Sequence, residues 1–161
     1  MNEEQSIGRV VNEIPSDVRW VIVADNGSTD GTARAAREQG AQVVSEPRRG
    51  YGYACLAGIA NLPAGVEIVV FMDGDYSDYP AELTGLVSAL DKHQADLVIG
   101  SRVLGEREKG SLTPQQRFGN WLSTRMIRLL YGFSYTDLGP FRAIRADALH
   151  RLSMQDVTYG W

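Results

Sequence analysis

The chain has 161 residues, 43% of them hydrophobic, and a net charge of −4, which makes it one domain by size with enough apolar material for a real core. The acidic balance argues against non-specific nucleic-acid binding. One cysteine (Cys55) and two histidines (His93, His150) exclude an internal disulfide, argue against a zinc site and fit a reducing, cytoplasmic compartment.

Taken in order, Ile7, Val10, Val11 and Ile14 share one helical face, and Pro15 closes that segment. Trp20–Asp25 (WVIVAD) reads as a buried strand. It runs into the turn Asn26-Gly27-Ser28-Thr29-Asp30-Gly31, followed by a helix over Thr32–Gln39 that stops at Gly40. A short strand over Ala41–Ser45 leads to the basic loop Pro47–Gly52 and a helix over Tyr53–Asn61. Glu67–Pro80 (EIVVFMDGDYSDYP) is a β-branched strand ending in an acidic turn, and Pro80 opens a helix over about Ala81–Lys92.

Asp96–Gly100 is a further strand, Ser101–Leu112 a polar loop, and Thr113–Tyr131 the longest helix. Phe141–Ile144 is strand-like and Asp147–Leu152 begins a last helix. Alternation of strand and helix predicts an α/β fold with a mainly parallel sheet and flanking helices. No repeat, linker, apolar run of membrane-spanning length or signal peptide is apparent.

Three strand ends carry acidic or glycine-rich loops: Asp25-Asn26-Gly27-Ser28, Asp73-Gly74-Asp75 and Gly100-Ser101-Arg102. In a parallel sheet such loops share one rim, where ligands bind. Paired carboxylates on a loop suit a hard divalent cation that keeps positions open for phosphate oxygens; the alternative for Asp73 and Asp75 is a plain acidic turn. Asp25 suits either acceptance of a nucleobase N–H or an Asx-turn. A dehydrogenase fingerprint and a phosphate-cradling Walker loop are absent.

VADNGSTDGT, EPRRGYGYA, FMDGDYSDYP, GSR and GPFRAIR, in that order, resemble inverting family-2 glycosyltransferases of the Rossmann-like GT-A fold, and most of all the dolichyl- or polyprenyl-phosphate sugar synthases. The resemblance implies a nucleotide-diphospho-sugar donor bound by Asp25, Asn26, Gly27, Ser28, Arg48, Arg49, Gly50, Asp73 and Gly74. It implies Mg²⁺ or Mn²⁺ on Asp73 and Asp75, with Asp75 the more direct ligand. Arg102 and Arg142 would hold a lipid-phosphate acceptor, with Arg117 and Arg145 weaker candidates. A lipid phosphate is already an anion and needs no strong base. A saccharide hydroxyl acceptor would need one, for which the sequence offers Asp137 or Asp78. A non-catalytic nucleotide-binding module is the third reading.

Tyr51 stands where many such enzymes carry lysine, so diphosphate contact is expected to pass to Arg48 or Arg49. Relatives of this kind have a strand before the segment resembling Asn2-Glu3-Glu4 and continue past Trp161, so the expectation is a single domain over 1–161, incomplete at both ends and prone to associate. The helix over 113–131 carries Arg117, Arg125 and Arg128 beside an apolar face. Either a core helix or an interfacial helix with peripheral membrane contact fits; the core reading is preferred.

Overall fold

A computed structural model describes residues 1–101 and 114–158, apart from the side chains of 114–118 and 120. In chain order it contains α1 (Ile7–Glu13), β1 (Ile22–Asp25), α2 (Thr32–Glu38), β2 (Gln42–Ser45), α3 (Tyr51–Ala60) and β3 (Ile68–Phe71). A 3₁₀ turn (Pro80–Glu82) then leads into α4 (Leu83–Lys92), β4 (Leu97–Ile99), α5 (Pro114–Tyr131), β5 (Arg142–Arg145) and α6 (Ala146–Leu152). Each element lies within a few residues of its expected place.

Local chemistry explains the boundaries. α2 ends in a Schellman motif: Gly40, at φ 88°, donates to the Arg37 carbonyl, and Ala41 donates to the Ala36 carbonyl. Pro80 opens the 3₁₀ turn before α4, where its missing N–H costs nothing. α1 buries Ile7, Val10 and Val11 at helical spacing.

β1 pairs with β2 in parallel, with Asp25 opposite Ser45. A second sheet has the order β3-β5-β4, with β5 antiparallel to both neighbours. β3 and β4 therefore point the same way, and β5 is the reversed strand between them. This register sets Arg142 opposite both Phe71 and Ile99. The start of β5 thus lies at the rim where β3 and β4 end.

The core is divided in two. Ile7, Val11, Ala36 and Ala41 pack with Val23 and Val43 around the parallel pair. Val69, Ile144, Ala146, Ala148 and Leu149 pack with Phe71 and Leu97 around the other sheet. Between the sheets lies a hollow of about 720 Å³, lined by Val21–Asp25 on one side and Glu67–Asp75 on the other. α1 contributes Ile7, Val10 and Val11 to its wall, and α3 contributes Ala54, Cys55 and Ile59. β1 and β3 read as fully buried strands, yet all four β1 residues are only half-buried, because one strand edge opens onto this slot.

α5 also differs from expectation. Leu122, Met126, Leu129 and Leu130 are 42%, 51%, 85% and 65% exposed, while the half-buried positions include Thr124 and Ile127. Among the described residues the leucine-rich side of this helix is thus left largely uncovered, in contrast to the preferred core reading.

Candidate active site

Asp25, at the end of β1, and Asp73 and Asp75, past the end of β3, line the same hollow. Asp25 Oδ1 accepts the Ser28 backbone N–H at 3.2 Å, so its local turn role is realised and one oxygen is committed to it. Asp73 is half-buried and Asp75 exposed; Asp75 Oδ1 accepts the Ser77 N–H at 2.9 Å. Asn26, Ser28 and Gly74 join the same wall.

The acidic loop is held from α1. Ser6 Oγ donates to the Gly74 carbonyl at 2.9 Å, the Tyr76 hydroxyl donates to Glu13, and the Arg9 guanidinium lies 3.8 Å from the Tyr76 ring centroid. Tyr76 itself has φ 65°, a left-handed conformation that is uncommon for a bulky residue and is tolerated here because these contacts over-determine it. The sequence reading missed this anchoring, since Glu13 and Tyr76 are far apart in the chain.

Asn26 turns out to be a clamp. Its Nδ2 donates to the Glu46 carbonyl at 3.0 Å and the Arg48 carbonyl at 2.6 Å, and its Oδ1 accepts the Gly50 N–H at 2.9 Å. One side chain therefore ties the end of β1 to the basic loop. Gly50 is required there: at φ 147°, a Cβ would lie 2.6 Å from the Val157 carbonyl oxygen.

Arg48, expected on the diphosphate, is engaged elsewhere. Its Nε and Nη2 meet the buried Glu46 carboxylate at 2.8 and 2.7 Å, and its guanidinium lies 4.4 Å from the Tyr53 ring centroid. Gly27, Arg48, Arg49 and Gly50 are not on the wall of the hollow. Arg48 holds Glu46 down at about 2, from an ordinary 4.5. A depressed carboxyl stabilises the fold fully above its unfolded value and loses that contribution as the pH falls toward its folded one. The melting temperatures of wild type and Arg48→Gln are therefore expected to differ at neutral pH and to converge between about pH 4.5 and 2.

Arg142 is half-buried and oriented by carbonyls, with Nε donating to Pro140 at 3.2 Å and Nη2 to Gly139 at 2.7 Å. It lines a smaller pocket of about 70 Å³ that shares Tyr51, Cys55 and Phe71 with the main hollow. Burial raises the Tyr51 hydroxyl, with further raising by Cys55 and Asp73 and opposition from Arg142. Burial pushes Cys55 up to about 11, which makes it an inert thiol at neutral pH. Tyr51, in the place where a lysine was looked for, thus sits between the acidic loop and an arginine.

Arg145 is drawn to Asp91 at 2.8 Å. Asp137 is buried, with Oδ1 accepting the Leu138 N–H at 2.8 Å; neither it nor the buried Asp78 lines the hollow. Arg102 and the Arg117 side chain lie outside the described residues.

Among the described residues no group of three or more His, Cys, Asp or Glu side chains converges. Two hard carboxylates, one of them exposed, are nevertheless a fitting donor set for Mg²⁺ or Mn²⁺, whose other positions go to water and substrate phosphates.

The model for "Glycosyl transferase family 2" matches residues 1–153. The chain belongs to this family. An uncharacterized glycosyltransferase of Mycobacterium tuberculosis is 40% identical over 162 residues, covering 100% of this chain and 71% of its own length. The undecaprenyl-phosphate mannosyltransferase of Micrococcus luteus is 32% identical over 161 residues, covering 94% of this chain and 64% of its own. Among solved structures, M. tuberculosis glucosyl-3-phosphoglycerate synthase with Mn²⁺, UDP-glucose and phosphoglyceric acid superimposes with a TM-score of 0.69 and 27% identity. That match covers 92% of this family-2 chain and 55% of the synthase. The family-2 chain thus spans between about half and about seven-tenths of these relatives' lengths. In the structural neighbour a divalent cation and a nucleotide-sugar occupy the same complex, in keeping with the acidic rim described above.

Proposed function

We propose that the chain carries the donor site of an inverting transferase that moves a sugar from a UDP- or GDP-linked donor to a polyprenyl or dolichyl phosphate, assisted by Mg²⁺ or Mn²⁺. The observation that carries this reading is the single hollow shared by Asp25, Asp73 and Asp75. Asp25 keeps Oδ2 available to accept a base N–H. Asp73 and Asp75 would hold the cation for the donor diphosphate. When bound, the cation would offset the charge that builds on the departing nucleoside diphosphate.

Arg142 is the group for the acceptor phosphate. Its guanidinium is pinned by two backbone carbonyls and partly desolvated, so little side-chain entropy is lost on phosphate binding. Arg102 is proposed as its companion. Asp78 and Asp137, the carboxylates that a neutral hydroxyl acceptor would need as base, are buried away from the hollow. That favours an acceptor that is already an anion.

A second reading follows from the synthase complexes, which contain phosphoglyceric acid: a small phosphate-bearing acceptor held by the same Arg142. The test is titration with UDP and GDP, with and without Mn²⁺, followed by release of nucleoside diphosphate from donor sugars. Cation-dependent binding and release driven by a short-chain polyprenyl phosphate are expected. Release driven only by phosphoglycerate would move the assignment to the second reading. Binding with no release from any donor-acceptor pair would leave a non-catalytic nucleotide-binding module.

A further inference from the structure

Tyr76 follows Asp75 directly and has φ 65°, a left-handed conformation that glycine takes freely and a bulky residue rarely adopts. No glycine stands there. Three side chains hold the conformation instead. Glu13, the last residue of α1, divides its carboxylate: Oε2 accepts the Tyr76 hydroxyl, and Oε1 accepts Arg9 Nε at 2.8 Å. The Arg9 guanidinium closes the triangle 3.8 Å from the Tyr76 ring centroid, and the Tyr79 ring stands edge-on to the same ring at 6.1 Å.

The turn at Tyr76 carries the Ser77 N–H back to Asp75 Oδ1 at 2.9 Å, so the direction in which Asp75 presents its other oxygen follows from that backbone angle. α1 also meets the residue before Asp75. Ser6 Oγ donates to the Gly74 carbonyl at 2.9 Å, and a Cβ on Gly74 would lie 3.1 Å from Ile7 Cδ1. Just ahead of α1, the Asn2 N–H donates to Ser28 Oγ at 3.0 Å and the Glu3 N–H to Thr32 Oγ1 at 2.8 Å. The segment from Asn2 to Glu13 thus bridges the loop that follows Asp25 and the loop that holds Asp75, across a hollow that divides the core.

We infer that Glu13 and Arg9 are positioning residues for the cation: by holding Tyr76 in its left-handed turn, they fix the carboxylate of Asp75 at the hollow. The inference rests on the cation-assisted donor site proposed above. Neither Glu13 nor Arg9 lines the hollow, so neither is a ligand itself. Core packing does not account for the triangle either, since the Arg9 and Glu13 side chains are 63% and 35% exposed. A bulky residue kept in a sparsely populated conformation beside a functional carboxylate is the pattern of strain retained for function; a loop with a structural duty alone reaches the same turn with glycine.

The experiment is Mn²⁺ titration of the 161-residue chain with UDP or GDP present, read by electron paramagnetic resonance, which separates free from bound ion, against a blank of nucleotide alone. Glu13→Ala and Tyr76→Phe are each expected to weaken Mn²⁺ binding about tenfold. The double variant is expected to be no weaker than either single one, because both remove the same contact. Glu13→Gln keeps an oxygen for the Tyr76 hydroxyl and should stay within about threefold of wild type. In EDTA all these forms should bind nucleotide equally, with unchanged circular dichroism.

Wild type that binds Mn²⁺ while Glu13→Ala and Tyr76→Phe bind it within about twofold as tightly would overturn the inference and leave the donor site standing. Additive losses in the double variant would also overturn it, by giving the two residues separate roles. So would weaker nucleotide binding in EDTA, which would mark a general loss of fold. Wild type that binds nucleotide with no dependence on Mn²⁺ would end the cation reading and the positioning role together.

Discussion

Asparagine at Asp73 or Asp75 is expected to lower Mn²⁺-dependent nucleotide binding, and any release of nucleoside diphosphate, by about 100- to 1,000-fold. The substitution keeps shape and one carbonyl oxygen but removes a charge from a site proposed to hold a dication beside a diphosphate. Asp75 is exposed and its local partner is the Ser77 N–H, which an asparagine oxygen also accepts, so Asp75→Asn should melt as the wild type does. The informative control is the cation. With EDTA present, wild type and variant should bind nucleotide equally weakly, because the remaining contact through Asp25 is untouched. Variants that stay within about threefold of wild type in Mn²⁺ would remove the acidic pair from the mechanism.

The amides facing the slot should exchange with solvent at least about 100-fold faster than those of Ala143 and Ile144 in β5. β5 has neighbours on both sides, whereas β1 pairs only with β2 and β3 only with β5 among the described residues. The carbonyls of Val21 and Asp25 face β2, and that of Glu67 faces β5. Hydrogen bonding alternates along a strand, so the amides of Ile22, Ala24, Ile68 and Val70 point the other way, toward the hollow. Two strand edges open on one apolar slot also invite association, so the chain should form oligomers at micromolar concentration and melt over a broad range. Mass-resolved hydrogen exchange and light scattering would check this. A monomer with protected Ile22 and Val70 amides and a sharp, cooperative transition would contradict it.

The acidic rim was legible because its signals are local. β-branched runs announce β1 and β3, and the aspartates follow directly where each run stops, so strand direction alone carries them to one side. Arg142 was placed by a motif that the register then explained, since β5 begins beside the end of β3. Arg48 has a partner that the sequence did not announce. Its charge is visible in the sequence, but its destination depends on Glu46 being buried beside it and on the Tyr53 ring at the start of α3. Asn26, which lines the hollow, is also a clamp. Its partners Glu46, Arg48 and Gly50 belong to a loop reached only after a whole βα unit has folded.

The order of elements, the absence of a disulfide framework, and the paired carboxylates at a strand end follow from the amino-acid sequence alone. Each depends on residue types and on spacings of a few positions, which propensity and turn chemistry read directly. Only the tertiary structure decided that the core divides around a slot, that α1 secures the acidic loop through Ser6 and Glu13, and that α5 shows its leucines to the outside. Those outcomes depend on which surfaces meet across long stretches of chain. A helix's periodicity reveals that it has an apolar face, but not whether the protein's own core or another phase will cover it.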